Sequence, residues 1–405
     1  MGILMEQSTL KNIFNNYVSK KNIFRNKDVL TTKFLPGDIP HRDNQIKQIA
    51  LMLAPILRNE KPSNIFIYGK TGTGKTLVIK NIIENLKSAA DKSGTGLKII
   101  YINCKMQKIT DTEYRLLAQL MTEFGESVPY TGLPTNELYK KFFRQLELAE
   151  SNIIIVLDEV DSLINKIGDE FLYNLTRINQ DLARTKLTLI GISNNLSFIE
   201  SLDPRVRSSL SEEEVVFPPY NATQLKDILS VRAEQAFFPG AIHPGVIAKC
   251  AALAAQEHGD ARKALDLLRV SGEISERENM PKVSEEHVDI AQKKLDTDRF
   301  METMKSQPKQ SQAVFRSILQ IYVGGEKSVQ TGAVYDTYSG ICRQSGLKPL
   351  TPRRVSDLIS ELETFGIIST SVASMGRYGR TRIINISISE ELIGKMNDFL
   401  KRELS

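Results

Sequence analysis

Cysteine is scarce in this chain of 405 residues, and the three that occur lie far apart. Cys104, Cys250 and Cys342 form no Cys-x-x-Cys pair, and none has a histidine at the spacing of a metal ligand. An odd number of separated thiols argues against a disulfide framework, and the missing ligand spacing argues against a zinc site. We expect buried or incidental thiols.

Long apolar runs are also missing. No stretch approaches the roughly 18–20 consecutive apolar residues that a membrane-spanning helix needs. The N-terminus, where Glu6 and Lys11 interrupt short apolar runs, lacks the pattern of a secretory signal. These absences argue against a membrane protein and against a secreted one, so we expect a cytoplasmic protein without a membrane partner.

The formal charge is small but unevenly distributed. The net charge is +5, and residues 305–405 carry 14 Lys or Arg against 9 Asp or Glu, which accounts for the whole excess. A basic terminal segment on a neutral body favours an anionic partner such as nucleic acid. Surface charge that keeps the protein soluble explains the charge alone equally well.

Strand-like and helix-like patterns alternate through the first half of the chain. Apolar runs at Asn64–Tyr68, Leu97–Asn103, Asn152–Asp158 and Lys186–Ser193 are separated by segments with helical spacing. This alternation predicts an α/β fold with a parallel sheet and helices on both faces. The predicted domains are an N-terminal arm (1–40), an α/β domain (41–217), a helical domain (218–304) and a basic C-terminal domain (305–405), with polar residues 305–312 as a linker.

A phosphate-binding loop, or P-loop, follows the first predicted strand. It comprises Gly69, Lys70, Thr71, Gly72, Thr73, Gly74, Lys75 and Thr76, and Leu77 continues into a predicted helix. Glycines let the backbone N–H groups face the phosphates at a helix N-terminus. In such a loop Lys75 neutralises the β and γ oxygens of ATP, and the Thr76 hydroxyl ligates Mg²⁺. The strand before the motif and the helix after it are the context that the motif requires.

Two further strand ends supply polar groups for the same site. The apolar run Asn152–Asp158 ends in Asp158 and Glu159, and Lys186–Ser193 is followed by Asn194. Asp158 can hold Mg²⁺ through its water shell, and Glu159 can polarise the attacking water. Asn194 can position that water near the γ-phosphate.

The C-terminal domain has the pattern of three short helices followed by a strand hairpin, which is a winged helix. Thr351 and Pro352 mark the start of a helix whose buried stripe is Val355, Leu358, Ile359 and Leu362. This arrangement suits a recognition helix in the DNA major groove, with phosphate or minor-groove contacts from the hairpin tip. The predicted DNA-binding residues are Arg353, Arg354 and Ser356 on the helix and Arg377, Tyr378 and Arg380 in the wing. A winged helix that binds protein is the alternative.

The order of these motifs resembles the archaeal replication initiators of the AAA+ origin-recognition family, which are related to eukaryotic origin-recognition subunits and their helicase loader. The resemblance rests on Pro40-His41-Arg42, the P-loop, Asp158-Glu159, Ile192-Ser-Asn194, Arg205, Gly259-Asp-Ala-Arg262 and the winged helix. It implies an AAA+ domain with a helical lid, Asn194 and Arg262 as sensors of the nucleotide, and Arg205 as an arginine finger for a neighbouring protomer. Arg207 is the alternative finger.

The resemblance also implies a function. We expect a slow ATPase that binds ATP or ADP with Mg²⁺ and duplex DNA at a replication origin, and that assembles with other protomers. It would help to recruit the minichromosome-maintenance-type replicative helicase, and would be associated with the nucleoid. A nucleotide-sensing transcription regulator and a clamp-loader-like remodelling ATPase are the alternatives. Residues 105–134 occupy the place of a family insert, either a packed helical element or a DNA contact.

Overall fold

The computed structural model describes residues 22–105, 112–129, 132–210, 212–326, 328–374 and 380–404. The chain divides into two compact units, one ending at Val288 and the other beginning at Asp289. No helix among the described residues is both long enough and apolar enough to span a membrane.

The first unit contains a five-stranded parallel sheet. Its strands are β1 (Asn64–Tyr68), β2 (Leu97–Asn103), β3 (Asn152–Asp158), β4 (Lys186–Ser193) and β5 (Glu212–Val216). They lie in the order β2-β3-β4-β1-β5, and every neighbouring pair is parallel. Every residue of β1 and β3 is buried, because helices cover both faces of the sheet. The predicted α/β fold is confirmed.

Helices of the α/β part pack on the two faces of this sheet. They are α1 (Asp43–Leu53), α2 (Lys75–Ser93), α3 (Glu113–Glu123), α4 (Thr135–Ala149), α5 (Val160–Ile167), α6 (Glu170–Arg177) and α7 (Pro204–Leu210). Successive side chains of β3 enter opposite cores: Ile155 packs in the core that contains α3 and α4, whereas Ile154 packs in the core that contains α2. This is the period of two expected of a strand buried on both sides.

The insert between β2 and β3 contributes to the first of these cores. Leu116, Leu117 and Leu120 of α3 are fully buried, and Thr112 caps the helix by accepting a hydrogen bond from the N–H of Arg115. The described part of the insert therefore has the packed helical structure that was one of its two interpretations.

A helical lid completes the first unit. Its helices are α8 (Ala222–Ala236), α9 (Pro244–Gln256) and α10 (Ala261–Arg277). Asn221 and Gln224 form a reciprocal capping box at the start of α8, and Asp260 caps α10. These caps satisfy backbone N–H groups that a helix leaves without partners at its first turn.

The described part of the arm packs on the lid. The Phe24 ring lies 4.6 Å from the Phe237 ring, centroid to centroid, and a Cβ on Gly272 of α10 would lie 2.4 Å from Phe24 Cζ. Lys27 Nζ lies 2.6 Å from Glu273 Oε1. The arm thus shares the core of the lid, which compensates for its lack of a core of its own.

The second unit is a winged helix. Its helices are α11 (Glu285–Ser306), which begins before the boundary, α12 (Lys309–Val323), α13 (Thr331–Gln344), α14 (Pro352–Thr364) and α15 (Glu390–Glu403). The strands β6 (Val329–Gln330), β7 (Ile368–Ser374) and β8 (Arg380–Ile386) form an antiparallel sheet in the order β6-β8-β7. The predicted buried stripe of α14 is present: Val355, Leu358, Ile359 and Leu362 are all buried.

The predicted linker at residues 305–312 is wrong. Only two residues separate α11 from α12, and Ser311 and Gln312 are buried in the second unit. The Gln312 side-chain amide donates to the carbonyl of Met304 at 3.1 Å, so polar residues here connect two helices. A polar composition is typical both of a linker and of a hydrogen-bonded helix junction, and composition alone did not distinguish them.

Truncating Phe24 should destabilise the first unit. Phe24→Ala removes a buried ring that fills the space above Gly272, and we expect the free energy of unfolding to fall by about 3–5 kcal/mol. Urea titration followed by circular dichroism measures the change. Leu51→Ala is the control, because Leu51 on α1 is exposed. Equal midpoints for the two variants would show that the arm adds no stability.

Candidate nucleotide-binding site

The site lies at the carboxyl ends of three adjacent strands. Strand β4 separates β1 from β3, so the P-loop, Asn194 and Asp158 follow three neighbouring strands at the same edge of the sheet. This edge is the usual ligand position in open parallel sheets. A cavity of about 400 Å³ opens there, and it is lined by residues from the arm, the P-loop, the sheet edge and the lid.

The P-loop depends on glycines at two left-handed positions. Gly72 has φ 75° and Gly74 has φ 91°, and α2 begins at Lys75. A Cβ on Gly72 would lie 1.8 Å from Asp260 Oδ1 of the lid. Glycine at position 72 is therefore required twice, by the backbone conformation and by the close approach of the lid.

Lys75 is held at the centre of the site. Its Nζ donates to the carbonyls of Gly69 (2.6 Å) and Lys70 (2.8 Å) and to Asn194 Oδ1 (2.9 Å). Only 5% of Lys75 is exposed. Burial lowers the pKa of Lys75 to about 8, with the nearby Asp158 carboxylate opposing the shift and the Arg262 charge adding to it.

Thr76 and Tyr101 both donate to the Asp158 carboxylate. The Thr76 Oγ1 to Asp158 Oδ2 distance is 3.0 Å, and the Tyr101 hydroxyl donates to the same oxygen. Burial, together with the Asp158 charge, raises the pKa of Tyr101 above its usual value, so this hydroxyl stays a donor. Asp158 is 4% exposed.

These oxygens fit a magnesium ion that is held mainly by nucleotide phosphates and water. Mg²⁺ in nucleotide sites takes one or two protein oxygens, and Thr76 with Asp158 supplies a hydroxyl and a carboxylate. Over the ranges that the structure describes, no group of three or more His, Cys, Asp or Glu residues could hold a metal ion.

The three thiols are buried, as expected, and burial raises the pKa of Cys104 and Cys250 to about 12.

Glu159 lines the cavity in a left-handed backbone conformation, with φ 59° and ψ 46°. Its Oε2 lies 3.5 Å from Lys105 Nζ. Sequence analysis did not single out Lys105, because nothing in the local sequence connects the end of β2 with the residue after β3. The contact follows from the pairing of the two strands, in which Asn103 lies opposite Asp158.

Arg262 reaches the site from the lid. It lies in the first turn of α10 and lines the cavity, although the residue as a whole is exposed. Asp260 Oδ1 accepts from the N–H groups of Arg262 (2.7 Å) and Lys263 (3.3 Å). The same aspartate that approaches Gly72 thus fixes the start of the helix that carries Arg262.

Arg42 is a further residue whose role sequence analysis missed. Its Nε donates to the carbonyl of Thr73 at 2.9 Å and its NH2 donates to the carbonyl of Pro218 at 2.6 Å. The guanidinium carbon lies 3.8 Å from the ring centroid of Tyr220. Arg42 therefore ties the P-loop to the segment that leads into the lid, and its only sequence signal was its place in the Pro40-His41-Arg42 motif.

Arg205 does not line the cavity of its own chain. It lies on α7 with 83% of its side chain exposed, and its guanidinium makes two contacts to the Asp203 carboxylate, at 3.1 and 3.2 Å. Arg207, the alternative finger, is also exposed on this helix.

In the second unit, α14 presents part of the predicted DNA-binding surface. Arg353 and Arg354 are exposed, and Ser356 is half-buried. Arg354 lies 3.6 Å from Asp357 and 3.8 Å from Glu361. Of the predicted wing residues, Arg377 and Tyr378 lie outside the described residues, and for Arg380 only the backbone, at the start of β8, is described.

One cation beside α14 was not predicted. Arg382 of β8 donates from NH1 to Ser360 Oγ at 2.8 Å, which connects the sheet with α14. The sequence offered only its place at the start of a predicted strand.

Three domain families match consecutive parts of the chain. Residues 58–198 match an AAA domain, residues 226–293 match the Cdc6 AAA+ ATPase-type lid domain, and residues 302–396 match the CDC6 C-terminal winged helix domain. The ORC1-type DNA replication protein of Pyrococcus abyssi is 52% identical over 388 residues, which cover 95% of this chain and 92% of the relative. The ORC1-type DNA replication protein 1 of Archaeoglobus fulgidus is 50% identical over 384 residues, 95% of this chain and 93% of the relative.

This identity over nearly the whole chain decides the family. The chain belongs to the ORC1-type DNA replication proteins. It is therefore a DNA replication protein of the AAA+ ATPase class, with an AAA domain, a Cdc6-type lid and a winged helix.

Solved structures agree with this assignment. The Aeropyrum pernix ORC1 protein, determined in complex with DNA, matches with a TM-score of 0.84 and 43% identity, covering 95% of this chain and 100% of that one. The Cdc6p of Pyrobaculum aerophilum shares the fold, with a TM-score of 0.58 and 21% identity over 95% of this chain and 100% of that one.

The affinity of this ORC1-type protein for ATP should depend on pH through Lys75. With a pKa of about 8, Lys75 in the free site loses its positive charge as the pH rises above 8, whereas bound phosphates favour the charged amine and raise its pKa. Binding then takes up a proton, so affinity should fall by about tenfold between pH 7.5 and 9. Isothermal titration calorimetry at several pH values measures the decline.

Lys75→Arg is the matched control, because a guanidinium stays charged throughout this range. Its affinity for ATP, whatever its absolute value, should vary little between pH 7.5 and 9. A parallel decline in both proteins would assign the pH dependence to another group.

Proposed function

We propose that this protein is a replication initiator that binds duplex origin DNA, that ATP binding and hydrolysis control its assembly, and that it helps to recruit the replicative helicase of the minichromosome-maintenance type. The observation that supports this proposal most strongly is that five polar side chains meet at one sheet edge, in a chain whose second unit is a winged helix. They are Lys75, Thr76, Asp158, Glu159 and Asn194. Its 43% identity to an ORC1 protein solved in complex with DNA supports the DNA-binding part.

The residues around the cavity have complementary roles toward ATP. Lys75 and Arg262 neutralise phosphate oxygens, and the N-terminus of α2 with the P-loop N–H groups holds the β-phosphate region. Mg²⁺, held by Thr76 and through water by Asp158, would offset charge that develops on the phosphates. Glu159 accepts a proton from the attacking water, and Asn194 orients that water.

The position of Arg205 supports slow turnover in a single protomer. Arg205 is absent from the cavity of its own chain, and it is exposed on α7 beside Asp203. A finger so placed serves the nucleotide of a neighbouring protomer. The ATPase is then slow until protomers assemble, which makes the nucleotide state a switch for assembly.

DNA contacts are expected from α14 and the wing. Arg353 and Arg354 are exposed near the N-terminus of α14, the part of a recognition helix that reaches base edges. Two acidic side chains beside Arg354 lower the local positive potential, so general attraction to phosphates rests more on Arg377 and Arg380 in the wing. The helix thus favours sequence preference and the wing favours overall affinity.

Location of the bound sites on the genome tests the initiator role. Chromatin immunoprecipitation of the protein, followed by sequencing of the bound DNA, should yield peaks that coincide with replication start sites mapped by marker frequency. Peaks confined to promoters away from those start sites would instead support the nucleotide-sensing transcription regulator.

Glu159→Gln should separate ATP binding from hydrolysis. The amide keeps the shape of the side chain but cannot accept the proton of the attacking water, while Thr76 and Asp158 still provide the magnesium ligands. We expect ATP affinity within about threefold of wild type and hydrolysis at least about 100-fold slower. Phosphate release under single-turnover conditions measures the rate.

Glu137→Gln removes an exposed carboxylate on α4 that bonds to Lys140, and it should hydrolyse ATP at the wild-type rate. If Glu159→Gln keeps the same rate as this control, the base lies elsewhere.

Helix and wing substitutions should have different effects on DNA binding. Arg377→Ala with Arg380→Ala should weaken binding to origin and scrambled duplexes alike, and should reduce the slope of log K against log salt by about 0.9 for each phosphate that the variant no longer neutralises. Arg353→Ala or Arg354→Ala should instead erode sequence preference by about 1–3 kcal/mol where the side chain binds a guanine. Fluorescence anisotropy across a salt series measures both.

Lys395→Ala is the control for the removal of one positive charge, since Lys395 lies on α15 and pairs with Glu391. If neither the helix nor the wing variants differ from this control, the winged helix binds protein and the proposed DNA contacts are wrong.

A further inference from the structure

Tyr101 is a polar residue of the site that belongs to none of the recognised motifs. It lies in the middle of β2, and its hydroxyl donates to Asp158 Oδ2. In the strand register Asn103 is the partner of Asp158, and Tyr101 is the partner of Val156. Tyr101 therefore lies two residues before the end of β2, and its long side chain reaches forward so that the hydroxyl contacts the Asp158 carboxylate.

The tyrosine and the P-loop threonine hold the same carboxylate oxygen. Asp158 Oδ2 accepts from Tyr101 and from Thr76, the latter at 3.0 Å. The two donors come from different elements, β2 and α2. A carboxylate with one oxygen bonded from two directions has a fixed side-chain rotation, and its second oxygen is left for the water shell of a metal ion.

The tyrosine ring is itself held in place. It packs at the edge of the core between the sheet and α2, and Lys80 Nζ of α2 lies 5.1 Å from the ring centroid. A rigid ring gives the hydroxyl a defined position, which is the property that a residue orienting a metal ligand needs. The same packing raises the alternative that Tyr101 only supports α2 on the sheet.

We propose that Tyr101 is a positioning residue for magnesium, and that its hydroxyl orients Asp158 so that this carboxylate can hold the water shell of the ion bound with the nucleotide. The inference rests on the proposed nucleotide function and adds to it a residue outside the P-loop and the Asp158-Glu159 motif. Partners of metal-binding side chains typically change metal affinity by about 10–100-fold when they are removed.

Tyr101→Phe tests this proposal because it removes the hydroxyl and keeps the ring. ADP affinity is measured by isothermal titration calorimetry in EDTA and over a range of Mg²⁺ concentrations. We expect wild-type affinity in EDTA, and a Mg²⁺ concentration for the half-maximal gain in affinity that is about 10–100-fold higher than in wild type. A purely structural role would weaken ADP binding in EDTA as well, or would lower the melting temperature without shifting the Mg²⁺ requirement, and either result overturns the proposal.

Tyr139→Phe is the matched control. The Tyr139 hydroxyl donates to the Glu113 carboxylate, so the substitution removes the same group from the same kind of bond. Glu113 does not line the cavity, whereas Asp158, the partner of Tyr101, does. Its Mg²⁺ requirement should equal that of wild type. If Tyr101→Phe gives the same Mg²⁺ curve as Tyr139→Phe, Tyr101 does not position the ligand.

The double variant Tyr101→Phe with Asp158→Asn tests whether Tyr101 changes the Mg²⁺ requirement through Asp158. Asp158→Asn alone should abolish most of the Mg²⁺-dependent gain, and Tyr101→Phe should then add nothing; a further reduction would show that the hydroxyl acts elsewhere. If the ADP affinity of the wild-type protein does not depend on the Mg²⁺ concentration, the magnesium assignment itself is wrong. A normal wild-type response with an unchanged Tyr101→Phe response overturns only the role of Tyr101.

Discussion

The buried guanidinium of Arg42 is the contact on which the nucleotide site depends. Only 2% of Arg42 is exposed, so its charge needs compensation inside the protein. The carbonyls of Thr73 and Pro218 and the face of Tyr220 supply it. Because Thr73 belongs to the P-loop and Pro218 leads into the lid, this one side chain holds the P-loop against the segment that carries the lid.

Two glycines, Gly72 and Gly259, allow the lid and the P-loop to approach each other closely. A Cβ on Gly72 would collide with Asp260, and one on Gly259, which has φ 68°, would lie 2.2 Å from the Tyr220 carbonyl oxygen. Gly259 and Asp260 thus meet a packing requirement: they let the lid lie on the P-loop. Asp260 also caps α10, the helix whose first turn contains Arg262. The two glycines therefore link the sequence, the packing of the lid and the position of Arg262.

Sequence analysis predicted what is local and missed what is distant. The strands, the P-loop and the polar strand ends are contiguous patterns, and the α/β and winged-helix folds that they implied are confirmed. Arg42, Lys105 and Tyr101 act on residues that are remote along the chain, so no spacing pattern could assign them. Strand β5 was also missed, because an edge strand that begins with three glutamates lacks an apolar pattern, although it pairs with β1 throughout. The roles of the site residues and the domain limits stay predictions.

Magnitudes decide what limits hydrolysis at this site. The Lys105 to Glu159 pair is 3.5 Å long and Lys105 is 73% exposed, so water screens it and it contributes at most about 1 kcal/mol. An energy of that size corresponds to less than about a tenfold change in rate. An arginine finger contributes about 10³–10⁵ in rate, and Arg205 is absent from the cavity of its own chain. In the proposed mechanism, the supply of a finger by a neighbour therefore outweighs the restraint that Lys105 places on Glu159, and assembly governs turnover.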